Sequence, residues 1–130
     1  MDILKISIVQ SHLHWQDINA NLHHLQSVVL NDRIDTDLII LPEMFSTGFT
    51  MDTTLAEAME QSIAIDWMRN IAQTKKAAVT GSLIIKEKDQ FFNRLVWVYP
   101  NGSIETYDKR HLFSYANEDL NILLLELKKT

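Results

Sequence analysis

The run Leu38-Ile39-Ile40-Leu41-Pro42-Glu43 decides how the chain is read. Four consecutive apolar residues suit a strand covered on both faces, and the proline that follows ends it. Helical patterns lie on either side. Towards the N-terminus, Ile18, Leu22, Leu25 and Val29 recur at helical spacing, with Asp17 in the N-cap position and an end predicted near Asn31. Towards the C-terminus, residues 62–75 carry an apolar face of Ile65, Met68, Ile71 and Ala72 beyond a Ser-, Thr- and Gly-rich loop over residues 46–54. Further outward come more strands. Residues 4–10 alternate Leu4, Ile6 and Ile8 with Lys5 and Ser7, and residues 77–83 resume a β pattern. Residues 91–99 and 104–107 flank Pro100-Asn101-Gly102-Ser103, whose Asn-Gly pair supplies the positive φ that a hairpin needs. The order strand, helix, strand, helix, strand and hairpin predicts an α/β layer architecture.

A chain of 130 residues can enclose one apolar core and calls for no second domain. With 46% hydrophobic and 22% charged residues, its composition is that of a packed domain rather than a disordered one. The net charge is −5 and no basic cluster exceeds a pair such as Lys75-Lys76, which argues against a nucleic-acid partner. No cysteine is present, so disulfides, thiolate metal sites and a cysteine nucleophile are excluded within these residues. The start Met1-Asp2-Ile3-Leu4-Lys5-Ile6 lacks the features of a signal peptide, and no apolar stretch is long enough for a bilayer. A cytoplasmic protein without a membrane partner is expected.

Two segments carry chemistry. Glu43 lies beyond the carboxyl end of a buried strand, where open α/β sheets place ligand sites. Partial desolvation there would raise its pKa towards the range that suits a general base, the alternative being a solvated loop carboxylate. The segment Tyr107-Asp108-Lys109-Arg110-His111-Leu112-Phe113 sets an ammonium, a guanidinium and an imidazole side by side, suited to an oxyanion or a carboxylate. Its alternative is an ordinary charged strand end. His12 and His14, and His23 with His24, permit a metal site to be imagined, but adjacent helical histidines diverge and a surface role is favoured, so no metal is expected. Trp15, Trp67 and Trp97 are expected to pack in the core or between layers, since no basic groove accompanies them.

Taken together, Leu41-Pro42-Glu43-Met44-Phe45 and Tyr107-Asp108-Lys109-Arg110-His111-Leu112-Phe113 resemble the glutamate and lysine motifs of the nitrilase, or carbon-nitrogen hydrolase, superfamily, in the same order and at a similar separation. The resemblance runs from Lys5-Ile6-Ser7-Ile8-Val9-Gln10 through Thr80-Gly81-Ser82 and Asn93 to Pro100-Asn101-Gly102 and covers residues 4–119. Ser46-Thr47-Gly48-Phe49 and the full Lys109-Arg110-His111-Leu112-Phe113 run are most similar to the omega-amidase branch. The fold implied is the N-terminal half of a four-layer α-β-β-α sandwich, with residues 1–119 as a partial hydrolase domain and residues 120–130 as a divergent tail.

By the same resemblance, Glu43 is the general base and Lys109 the cation beside the tetrahedral intermediate of a Glu-Lys-Cys triad, with Glu118 as a second glutamate. Arg110 and His111 are candidate contacts for a substrate carboxylate and Phe45 or Phe49 for an apolar pocket wall, the alternative for all four being structural packing and surface charge. The reaction implied for the parent protein is hydrolysis of a small carboxylate-bearing amide, such as a 2-oxo acid omega-amide, with no cofactor and with a homo-oligomer expected. The family's cysteine would lie beyond Lys109, yet the chain stops at Thr130 after an apolar Ile122-Leu123-Leu124-Leu125. Truncation or a frameshift is expected, and with it an inactive chain. A rival reading is a non-catalytic remnant that pairs with itself or a homologue through an unfinished sheet edge. A flavodoxin-like binding domain ranks last, because no glycine-rich phosphate loop follows any strand and only three glycines are present.

Overall fold

The structure is a computed structural model that describes residues 3–31, 33 and 35–109. Its elements are β1 (Ile6–Ile8), α1 (Ile18–Asn31), β2 (Leu38–Ile40), β3 (Glu57–Ala58), α2 (Ile63–Lys75), β4 (Ala78–Glu87), β5 (Gln90–Val98) and β6 (Ile104–Asp108). They form a six-stranded sheet in the order β1-β2-β4-β5-β6, with β3 paired to the far end of β4. β1, β2 and β4 run parallel, while β5 and β6 return antiparallel. The described residues therefore supply one sheet and two helices of the four layers expected.

Both helices begin where their sequences say. Asp17 Oδ1 accepts the Ala20 N–H at 3.0 Å at the start of α1, and Ser62 Oγ accepts the Ile65 N–H at 3.0 Å at the start of α2. A further acceptor comes from β3, whose Glu57 carboxylate receives the Ile63 and Ala64 N–H groups at 2.7 and 3.4 Å. Negative charge at a helix N-terminus is stabilising, so β3 also anchors α2. Their apolar faces meet one face of the sheet: Leu22, Leu25 and Val29 of α1 and Ile65, Met68, Ile71 and Ala72 of α2 pack with Ile39, Val79, Leu83, Ile85, Val96 and Val98.

The strands depart from expectation in two places. β1 is shorter than residues 4–10, and Ile6 and Ile8 remain largely exposed on an edge strand with β2 on one side only. β4 is longer than residues 77–83 and turns into β5 at Lys88-Asp89, both with positive φ (52° and 61°). Left-handed backbone at both central positions matches the strand twist, and neither residue advertises it as Asn-Gly does. The Asn101-Gly102 turn between β5 and β6 forms as expected, with Gly102 at φ 89° and the Tyr99 N–H donating to the Ser103 carbonyl at 2.9 Å.

Trp67 is buried in the core, while Trp97 is half-buried on β5. Trp15 corrects the expectation of a packed indole: it is 63% exposed, with one ring edge resting over Gly48. Glycine is required there because a Cβ would meet the indole at 3.2 Å and because φ is 79°.

Gly81 matters for a different reason. A Cβ at this position of β4 would lie 2.7 and 2.9 Å from the Phe45 ring and 3.0 Å from Leu41 Cβ. Phe45 is fully buried and packs on Trp67 with ring centroids 5.8 Å apart, so it has little room to retreat. Gly81→Ala should destabilise the fold by about 1–3 kcal/mol, the usual cost of overpacking. A urea midpoint unchanged by the substitution would show that the loop after β2 yields freely.

Candidate active site

β2 ends at Ile40, and the chain then turns over the edge of β4. The Leu41 N–H donates to the Thr80 carbonyl at 2.8 Å, which keeps the turn against that strand. Three residues later the backbone takes a left-handed conformation at Met44, with φ 49° on a fully buried residue. A side chain held there costs about 1–3 kcal/mol and persists only where neighbours enforce it. Ser82 Oγ accepts the Met44 N–H at 2.8 Å, and the Met44 carbonyl accepts the Thr47 and Gly48 N–H groups at 3.2 and 2.8 Å. Met44 packs on Ile84 while Phe45 packs over Gly81 with the helices. Since Gly81 and Ser82 point to opposite sheet faces, the elbow straddles β4 with Glu43 at its rim.

The rest of the loop is equally tied down. Asn21, buried on α1, donates through Nδ2 to the His14 and Ser46 carbonyls at 2.7 and 2.9 Å and accepts the His14 N–H at 2.6 Å. The Gln16 N–H donates to the Thr47 carbonyl at 2.7 Å, and Gln16 Nε2 to Thr50 Oγ1 at 2.7 Å. These bonds fix the segment after Glu43 against α1 and the loop that precedes it.

Lys109 reaches the same place from the other side. In the β5–β6 pair Arg94 lies opposite Asp108, so the next position sets Lys109 beside Asn93, and the Lys109 N–H donates to the Asn93 carbonyl at 3.2 Å. The register is locked on the helix-facing side of the sheet by Arg94, which donates to both oxygens of Asp108 at 2.6 and 3.1 Å and to Glu87 at 2.7 Å. The hydrogen bond that Arg94 donates to Asp108, reinforced by Glu87, outweighs burial and holds the Arg94 guanidinium above its ordinary pKa, so this lock stays charged.

On the opposite side, Lys109 Nζ is in direct ion-pair contact with Glu43 Oε1, and Asn93 Nδ2 donates to the same oxygen at 3.2 Å. The Lys109 side chain is largely buried, but that of Glu43 remains 46% exposed. Glu43 stands on the rim of the elbow and is only partly withdrawn from solvent. A carboxylate, an ammonium and an amide converge on one point at the strand ends, a grouping able to accept a proton and to stabilise an anion side by side.

The other expected site residues are placed differently. Phe45 takes up the packing alternative: the recess above Gly81 receives its ring in the core beside Trp67. Phe49 is 43% exposed on the loop that follows. Arg110, His111 and Glu118 lie outside the described residues, as does the expected boundary between residues 119 and 120. Asn93 and Ser82 had no role assigned from sequence. The signal for Asn93 is an amide set beside Arg94 between the aromatic Phe91-Phe92 and the apolar Leu95-Val96 of β5.

Among the described residues, no group of three His, Cys, Asp or Glu side chains is placed to hold a metal ion. His24 Nε2 instead pairs with Ser11 Oγ at 2.7 Å, and its ring meets that of His14 edge-on at 5.9 Å. No helix among the described residues is long and apolar enough to cross a membrane.

Residues 5–124 match the family model for carbon-nitrogen hydrolases. The chain belongs to the carbon-nitrogen hydrolase family. Among curated members of this family of amide-hydrolysing enzymes, it is 40% identical over 118 residues to the omega-amidase YafV of Yersinia enterocolitica, covering 91% of this chain and 45% of that protein. It is 39% identical over 118 residues to the omega-amidase YafV of Escherichia coli, again covering 91% and 45%. The carbon-nitrogen hydrolase thus spans about half the length of the curated relatives it matches. A solved CN-hydrolase superfamily protein from Xanthomonas campestris, described with an arsenic adduct in its active site, is 35% identical and superposes with a TM-score of 0.89 over 100% of this chain and 49% of its own. The α/β fold described above is therefore that of the superfamily.

Proposed function

We propose that these residues form the base-and-cation half of an amidase that hydrolyses a small carboxylate-bearing amide, such as the omega-amide of a 2-oxo acid, to the acid and ammonia. The observation that carries this reading is the contact of Lys109 Nζ and Asn93 Nδ2 with one carboxylate oxygen of Glu43. In the proposed reaction, Glu43 takes the proton of the family's cysteine thiol, and the thiolate attacks the amide carbonyl to form a C–S bond. The C–N bond then breaks and the proton passes to the departing ammonia. Glu43 next takes a proton from water, whose oxygen attacks the thioester carbonyl; the C–S bond breaks, the proton passes from Glu43 to the departing sulfur, and the acid is released. Lys109 opposes the negative charge that develops on the carbonyl oxygen.

The wider proposal keeps Glu118 as a second glutamate near Lys109, Arg110 and His111 as contacts for the substrate carboxylate, and Phe49 as part of the pocket wall. The omega-amidase names of two relatives support the choice of substrate class.

The 130 residues contain no cysteine, so the covalent step has no nucleophile among them. Purified as they stand, they should release no ammonia from 2-oxo acid amides. They should also self-associate, because Ile3, Leu4, Ile6 and Ile8 are exposed at and beside the β1 edge. An ammonia-release assay and light scattering over a range of concentrations test both points. Turnover proportional to pure protein would sink the first, and a monodisperse monomer the second.

The direct test of the function uses a completed enzyme, in which these residues are continued through the family's cysteine with the corresponding C-terminal part of the Yersinia enterocolitica relative. It should release ammonia from 2-oxo acid omega-amides. A folded protein that leaves every such amide intact would overturn the substrate assignment.

A further inference from the structure

Asn93 touches both members of the proposed pair. Its side chain donates to Glu43 Oε1, and its backbone carbonyl accepts the Lys109 N–H. It is fully buried, and among the described residues its Oδ1 has no hydrogen-bond partner. A buried amide carbonyl left without a partner is unfavourable, and a leucine of similar volume would fill the space without that cost. Simple packing therefore does not account for an amide at this position. The donor end does, because it alone meets a carboxylate.

The geometry on Glu43 adds a second point. The described contacts of the carboxylate, from Asn93 Nδ2 and Lys109 Nζ, both fall on Oε1. Among the described residues both contacts hold one oxygen, and neither engages Oε2. We propose that Asn93 is a positioning residue for the Glu43 base: it fixes Oε1 and thereby sets the direction in which Oε2 accepts a proton. This rests on the reading of Glu43 as the base. A freely rotating carboxylate would spend most of its time misaligned, and misplacing a reacting group by about an ångström can cost roughly a hundredfold in rate.

The test compares the completed enzyme with its Asn93→Asp, Asn93→Leu and Glu43→Gln variants. Asn93→Asp keeps the shape but replaces the donor with an acceptor beside Glu43, whose other described charged neighbour is Lys109. It should lower kcat by roughly ten- to a hundredfold with KM nearly unchanged. It should also move the acidic limb of the pH–rate profile to higher pH, because a second carboxylate disfavours the ionised form of the first. A merely structural defect would not move that limb. Asn93→Leu should lose kcat to a similar extent while keeping the parental melt, and it carries the test if the aspartate variant does not fold. Parental kcat and pH profile in a folded Asn93 variant, with Glu43→Gln inactive, would overturn the positioning role alone. Full turnover by Glu43→Gln would overturn the base assignment and this inference together.

Discussion

Glu43→Gln should remove roughly a hundred- to ten-thousandfold of the amide turnover of the completed enzyme, the range that a general base contributes, and leave its melting curve in place. The substitution keeps the size of the side chain and its place on the rim of the elbow. It removes the negative charge that Lys109 contacts and the proton acceptor that the thiol and the water both require. The backbone around it is held independently, by Ser82 Oγ on the Met44 N–H and by the turn bonds to the Met44 carbonyl. Circular dichroism should therefore stay parental while ammonia release falls. Parental turnover by the variant would take Glu43 out of the mechanism.

The second large effect is expected at Lys109. Lys109→Ala should lower kcat by roughly a hundredfold or more while KM changes much less, because an oxyanion contact strengthens as the tetrahedral intermediate forms. Unchanged kcat with a raised KM would assign Lys109 to ground-state substrate binding. The ion pair between Lys109 and Glu43 adds a further expectation. Removing the ammonium also frees the carboxylate it steadies, so the double variant Glu43→Gln, Lys109→Ala should lose less than the two single losses multiplied.

The parts of the fold legible in the sequence are those whose signal is local. α1 and α2 announce themselves through apolar positions at helical spacing, and α1 also through Asp17, whose cap forms. The second hairpin is written in Asn101-Gly102. The first is not, because Lys88 and Asp89 adopt left-handed backbone under the pull of the long β4–β5 ladder. Phe45 leaves two readings open for a similar reason: an aromatic beside a reactive glutamate suits a pocket wall or packing, and only the pairing of β2 with β4 reveals the hollow above Gly81 that receives it. Glu43 and Lys109 were recognised through their resemblance to the family's motifs. Their contact depends on the register that Arg94 and Asp108 impose across β5 and β6, a tertiary fact that no spacing along the chain encodes. For the same reason Asn93 had no visible role.

The segment between β2 and β3 leaves and rejoins one edge of a single strand. It departs where the Leu41 N–H meets the Thr80 carbonyl and returns where Glu57 pairs with Ile85. Its two ends are therefore fastened to the same rigid rail, a few residues apart, and the sheet does not depend on the length of what lies between. Closing a somewhat longer or shorter arch over that gap changes the loop entropy only slowly. Residues 51–56 are in this sense a removable fitting. Exchanging them for the matching piece of a relative, with Gly81 and residues 43–50 kept, alters the surface beside the reactive carboxylate while the sheet and its helices stay as they are.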